Sequence, residues 1–183
     1  RLKHYYNDLK WLYCELFRDH PEVAGTFSSL TKKMKEIYRE RSLSMKEADQ
    51  TCVADPDWFR KTTFTGMAVN PADFADTLSG LSDKLDYISE CKADTLYLTD
   101  LFQATSNCSL CIIPEIGTSE DLYTLAANCR KAGIRLALEI PLSLSVDDPQ
   151  SGAPCVLQTP AYFNAMLLQI LELANEGASV FSL

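Results

Sequence analysis

The chain has 183 residues, 46% of them hydrophobic and 23% charged, and a formal net charge of -8. This is the composition of an ordinary globular protein, long enough for one sizeable core or one domain with an appendage. The acidic balance argues against nucleic acid or an anionic membrane as partner, no apolar run reaches the length of a membrane span, and "RLKHYYNDLK" is no signal peptide.

Residues 1 to about 60 read as wholly helical. "YYNDLKWLYCELF" places Tyr6, Leu9, Leu12, Tyr13, Leu16 and Phe17 at helical spacing, predicting one inward stripe that Pro21 and Gly25 interrupt. "FSSLTKKMKEIYRERSL" predicts a second helix with Phe27, Leu30, Met34 and Ile37 inward. Its cations Lys32, Lys33, Lys35, Arg39 and Arg41 could meet an anion, although their interleaving with Glu36 and Glu40 suits a solvated face. "SMKEADQTCVA" predicts a third, short helix.

From about residue 62 strands alternate with helices. "TFTGMAV" predicts a strand and "FADTLSGLSDKLDYISECK" a helix; "ADTLYLTDLF" predicts the second strand. "TSEDLYTLAANCRKAG" predicts the second helix, with Thr118 and Asp121 at the spacing of a capping box and Gly133 as its stop. "IRLALEI" is apolar on both faces, as a covered parallel strand should be. Thr159 and Pro160 open a third helix that Gly177 ends, and "ASVFSL" predicts a fourth strand. The order βαβαβαβ calls for a parallel sheet with right-handed crossovers, either half of an eight-stranded barrel or a small open sheet.

The seven cysteines are Cys14, Cys52, Cys91, Cys108, Cys111, Cys129 and Cys155. An odd number scattered through apolar and helical stretches suits a reducing compartment, so a cytoplasmic location is expected. Cys108 and Cys111 form a lone Cys-x-x-Cys, but the chain's histidines are only His4 and His20. Two thiolates would leave a tetrahedral zinc site half empty, so neither a metal nor any other cofactor is expected.

Five segments, in order, resemble the amylosucrases, sucrose-using members of the alpha-amylase superfamily. The helical leader running into "DPDWF" is similar to their all-helical N-terminal domain and its junction with the barrel. "GMAVNPADFADTLSGLSDKLDYI" resembles the first barrel strand and helix, "ADTLYLTDLF" the second strand, and "IPEIGTSEDLYTLAANCRKAGIRLALEI" the helix and third strand that follow. "TPAYFNAMLLQILELANEGASVFSL" resembles the helix before the nucleophile strand. The resemblance implies an α/β fold: a helical domain over residues 1–60, then strands one to four of a TIM-type (β/α)8 barrel over residues 61–183.

It also implies a chemistry, in which sucrose is cleaved through a glucosyl-aspartate and glucose passes to an alpha-glucan. Retaining transfer needs two carboxyl groups about 5 Å apart, at the C-terminal ends of barrel strands. Here the chain departs from the pattern. Where the family has Asp-x-x-x-Asn-His, Glu139 stands at Asp, Ser143 at Asn and Leu144 at His, and leucine cannot donate a hydrogen bond to a sugar. The loop carrying an Asp-Gly-Gly-Tyr-type run is shortened to "QATSNCSLCI". Ser182 holds the place of the arginine that orients the nucleophile, and Leu183 stands one residue short of the expected Asp. An opening at Arg1 rather than Met also raises the expectation of an excised piece.

No catalytic residue is therefore assigned. Asp73 matches a family position, with a structural carboxylate its simpler reading, and Asp100 and Glu139 stand at C-terminal strand ends, where they could be mistaken for a glycosidase pair; these three are the vestigial substrate contacts. Trp58 and Phe59 could stack on sugars, but beside "DPD" they read better as an anchor between leader and barrel. The expected protein is a non-catalytic relative whose partners are sucrose or an alpha-glucan. Its rivals are the N-terminal part of an active glucosyltransferase and a glucan-binding module. Half a barrel leaves two strand edges and an inner face to cover, by self-association or a missing C-terminal half rather than by the helical leader, which the resemblance puts outside the barrel. Val180, Phe181, Leu136 and Leu138 are expected on that face.

Overall fold

A computed structural model describes residues 2–55, 57–61, 64–104, 110–141 and 159–183. The leader forms α1 (Leu2–Leu16), α2 (Val23–Glu40), α3 (Leu43–Ala54) and the short α4 (Trp58–Lys61). Gly25 does not interrupt α2, which begins at Val23 and runs through it. Tyr13, Phe17, Phe27 and Leu30 make the leader's own core. Leu12 and Leu16 do not join it: they are 57% and 49% exposed, so the stripe of α1 is narrower than its periodicity predicts.

Four parallel strands follow: β1 (Gly66–Val69), β2 (Thr95–Leu98), β5 (Arg135–Glu139) and β6 (Ala178–Ser182), side by side in chain order. Each step places the next strand on the same side of the last, the winding of a barrel rather than of a doubly wound sheet, whose strand order reverses. Register ranks Met67, Leu96, Leu136 and Ala178 in one row and Val69, Leu98, Leu138 and Phe181 in another two residues on. Strand side chains alternate between faces, so both rows share one face. They pack into the core beneath α8 (Ser119–Lys131) and α9 (Pro160–Glu176). The row between them, Ala68, Tyr97, Ala137 and Val180, faces the other way. The open face therefore lacks Leu136, Leu138 and Phe181, contrary to expectation, and carries Val180 with small and polar neighbours. A register shift beside Leu136 leaves Ser179 as the extra residue in β6.

Three departures refine the helical and loop segments. The first crossover is three short helices, α5 (Pro71–Ala75), α6 (Leu78–Asp83) and α7 (Leu85–Glu90), rather than one. Asp76 at φ 62 breaks the chain, and Thr77 recaps it by accepting from Gly80 N at 3.0 Å. Gly80 is required there, because a Cβ would lie 2.3 Å from the Ala75 carbonyl oxygen. Next, the segment after β2 is not only loop: β3 (Phe102–Ala104) and β4 (Leu110–Ile112) pair antiparallel, with Leu101 and Phe102 buried. Finally, α9 is apolar on two faces. Met166, Ile170 and Leu173 meet the sheet, while Phe163, Leu167 and Leu168 meet the leader. Its apolar surface is thus shared between sheet and leader, with Leu171 left on an open groove.

The predicted caps are present. Thr118 and Asp121 form the capping box of α8, Thr159 caps α9 ahead of Pro160, and Gly177 ends it.

Candidate active-site edge

In a parallel barrel, side chains at the C-terminal strand ends converge, and the candidates are placed there. β1 ends at Val69, and Asn70 caps α5 by accepting from Ala72 N at 3.0 Å. Asn70 Nδ2 donates to Asp100 Oδ2 at 3.3 Å, so this one side chain joins the ends of β1 and β2. Asp100 lies two residues beyond β2 at φ 51, a left-handed conformation that Asp tolerates better than most residues. Asp73 is exposed in the first turn of α5, not at a strand end, where its charge complements the helix N-terminus. Glu139 is the half-buried last residue of β5 and ranks beside Ser182. Just beyond them Ile140 N donates to the Ser182 carbonyl at 2.8 Å. Ser143 and Leu144 lie outside the described residues, as does Cys108.

Asp100 and Glu139 thus stand at or just beyond the ends of β2 and β5, Asp73 lies a few residues past β1 on α5, and the one link the structure makes here joins Asp100 to Asn70. Asn70 is the residue that sequence reasoning passed over. Its signal was legible, since Asn before Pro71 is the same cap-then-proline pattern read at Thr159 and Pro160. What the edge lacks is cationic. The described segments that follow the strand ends, 70–76, 99–104, 110–118 and 140–141, contain no His, Arg or Lys. Carboxylates there can accept from sugar hydroxyls, but no neighbouring cation in those segments can orient a nucleophile or steady a leaving group. Among the described residues no group of His, Cys, Asp and Glu could hold a metal ion.

Other titratable groups serve the fold. Burial pushes the Cys129 thiol up to about 12, so it is an inert core residue. Trp58 stands 6.2 Å from Phe64, whose ring carries the Arg135 guanidinium at 4.8 Å, and Arg135 reaches Asp94 at 3.6 Å. This ties α4 to the start of the sheet, at the opposite end from the carboxylate edge. Among the described residues, grooves of about 380 and 980 Å³ take in none of Asp73, Asp100 and Glu139.

A parallel sheet wound in one direction has the arrangement of a partial barrel, and comparison with known proteins makes the family specific. The catalytic-domain model of alpha-amylase matches residues 28–141. The chain belongs to the alpha-amylase family. A cyclomaltodextrinase from Geobacillus thermopakistaniensis is 36% identical over 72 residues, 36% of this chain and 12% of that protein. A trehalose synthase/amylase from Mycolicibacterium smegmatis is 27% identical over 110 residues, covering 54% of this chain and 18% of that one. The chain therefore spans less than a fifth of either relative's length. Among solved structures, an isomaltulose synthase mutant from Erwinia rhapontici bound to D-glucose aligns at TM-score 0.39 and 22% identity, over 44% of this chain and 17% of that one. No described helix is long and apolar enough to cross a membrane.

Proposed function

We propose that this chain is a non-catalytic, amylosucrase-like member of the family, dividing near residue 60 into a helical leader and a half-barrel that meets sucrose or an alpha-glucan in the cytoplasm. The carrying observation is the edge itself, with carboxylates and no cation in the described segments that follow the strands. Leu144 and Ser182, set against the family pattern, support the same reading. A covalent mechanism needs an activated nucleophile, and activation needs an oriented partner. In this reading Asp73, Asp100 and Glu139 are residual sugar contacts, and the open strand edges are covered by a second copy or by a C-terminal barrel half. The purified chain, incubated with sucrose and glycogen, should release no fructose above a protein-free control. Fructose release abolished by mutating a residue of this chain would overturn the reading. Leu144→His should restore nothing, because one sugar-orienting hydrogen bond does not replace a nucleophile.

A second reading rests on length. Because the chain spans under a fifth of its relatives, it could be the N-terminal part of an active enzyme whose carboxylates lie elsewhere. Finding Asp immediately after Leu183 in the gene, and a fifth strand bearing Glu, would favour it. A glucan-binding module is the third reading, and titration with maltoheptaose tests it against the Asp100→Ala variant.

A further inference from the structure

Charge is unevenly laid along this molecule. Residues 1–54 hold ten Lys and Arg against eight Asp and Glu, whereas the rest hold seven against seventeen. The excess of cations is gathered in the larger groove, of about 980 Å³, between α1, α2, α3 and α9. Lys3, Lys35 and Arg39 line it from α1 and α2, above apolar groups that include Tyr6 and Met34, while Lys46 of α3 is engaged at its rim, donating to the Arg39 carbonyl at 2.9 Å. Its one carboxylate, Asp49, is neutralised by Arg41, which donates to both oxygens at 2.7 and 3.0 Å. Glu36 and Glu40, which seemed from sequence to balance the basic run of α2, do not line the groove. A surface complementary to it would be acidic and carry an apolar group.

This chain presents such a surface on its far side. On α6 and α7, Asp83, Asp86 and Glu90 are exposed around Tyr87, itself 54% exposed. Lys84, the cation among them, is drawn aside, its ammonium donating to the Phe74 carbonyl and lying 4.6 Å from the Phe74 ring. The two surfaces cannot meet within one molecule. The acidic face belongs to the crossover between β1 and β2, while the groove includes Leu171 of α9, which crosses to β6, and β1 and β6 are opposite edges of the sheet.

We propose that the leader groove docks the acidic, Tyr87-bearing face of a second copy of this chain. The contact is heterologous, since each copy offers a groove at one end and a face at the other. It repeats head to tail, and it is distinct from pairing of the open strand edges, which these charges would not affect.

Sedimentation velocity over a concentration series tests this with the full chain. At low salt the average mass should rise with concentration. At 500 mM salt, where screening is complete within a few ångströms, association should weaken by about tenfold or more. K35E/R39E and D86K/E90K, each checked for folding by circular dichroism, should each be monomeric alone. Mixed, they should associate head to tail in alternation, because the native face meets the native groove and the two reversed surfaces are again opposite in charge. A wild-type chain monomeric throughout, or variants that associate as the wild type does, would overturn the proposal.

Discussion

Tyr13 and Asn164, 151 positions apart, are joined by a hydrogen bond of 2.9 Å from the phenol to the amide oxygen. The amide nitrogen of Asn164 then donates to the Thr26 carbonyl at 3.2 Å, so one side chain on α9 holds both α1 and α2. Lower on the same helix, Arg41 donates to the Ala174 carbonyl at 2.7 Å and Asn175 donates to that of Ile37, also at 2.7 Å. The leader is fastened to the outside of the sheet by polar contacts laid over an apolar seam. Asn164→Ala should destabilise the chain by about 1–3 kcal/mol, because the buried Tyr13 hydroxyl loses its acceptor. Urea unfolding followed by circular dichroism measures it. Tyr13→Phe, which removes the hydroxyl instead of stranding it, should cost less.

Gln169 closes the edge of the β3–β4 hairpin. Its oxygen accepts from Leu110 N at 2.9 Å and its nitrogen donates to Leu110 O at 3.3 Å, as a neighbouring strand would. Gln169→Ala should unpair both backbone groups of a buried residue, costing about 1–3 kcal/mol. Amide exchange at Leu110 should accelerate, while exchange at Leu96 and Leu136 in the main sheet stays slow in proportion to overall stability. Unchanged protection of Leu110 would count against this role.

Gly177 ends α9 at φ 127, and a Cβ there would stand 2.6 Å from Arg130 Nη2 and 3.1 Å from Ala126 Cβ. Gly177→Ala should therefore destabilise by about 1–3 kcal/mol, through backbone strain and displacement of Arg130 together. Shortening Arg130 in the same chain, as Arg130→Ala, should relieve the steric part and leave the backbone part. Thermal melts of the two variants separate them.

Acid should loosen the start of the sheet and the start of α8. Asp94 is held below the usual carboxylate range by the Thr95 hydroxyl, with help from the Thr65 backbone N–H and the Arg135 guanidinium. Asp121 is held low by the Thr118 side chain and backbone. A depressed carboxylate stabilises fully above its unfolded value, near about pH 4, and the contribution is lost as pH falls through the lower folded value. Asp94→Asn should flatten the loss of urea resistance between pH 5 and acid conditions. Glu176 acts in the opposite direction. Burial and then Glu172 raise it, so its ionisation opposes the fold as pH rises, and Glu176→Gln should gain stability at neutral pH.

Much of this architecture is local and therefore legible in the sequence. The alternation of apolar runs with capped helices is enough to specify four parallel strands, because Thr118, Thr159, Pro160, Gly133 and Gly177 satisfy or end backbone hydrogen bonding within a few residues of themselves. Asp100 and Glu139 could be placed at strand ends for the same reason. The faces were another matter. Leu136, Ala137 and Leu138 are all apolar, so periodicity cannot say which side of β5 the helices cover, and only packing against α8 and α9 put Leu136 and Leu138 beneath them. Leu12 and Leu16 share the spacing of Leu9 and Tyr13, yet α2 and α9 reach only the latter side of α1. The joining of Asn70 to Asp100, of Gln169 to Leu110, and of Lys3, Lys35 and Lys46 around one groove needed chain segments brought together from afar. Spacing along a chain decides which residues share a stripe, and tertiary packing alone decides which stripe finds a partner.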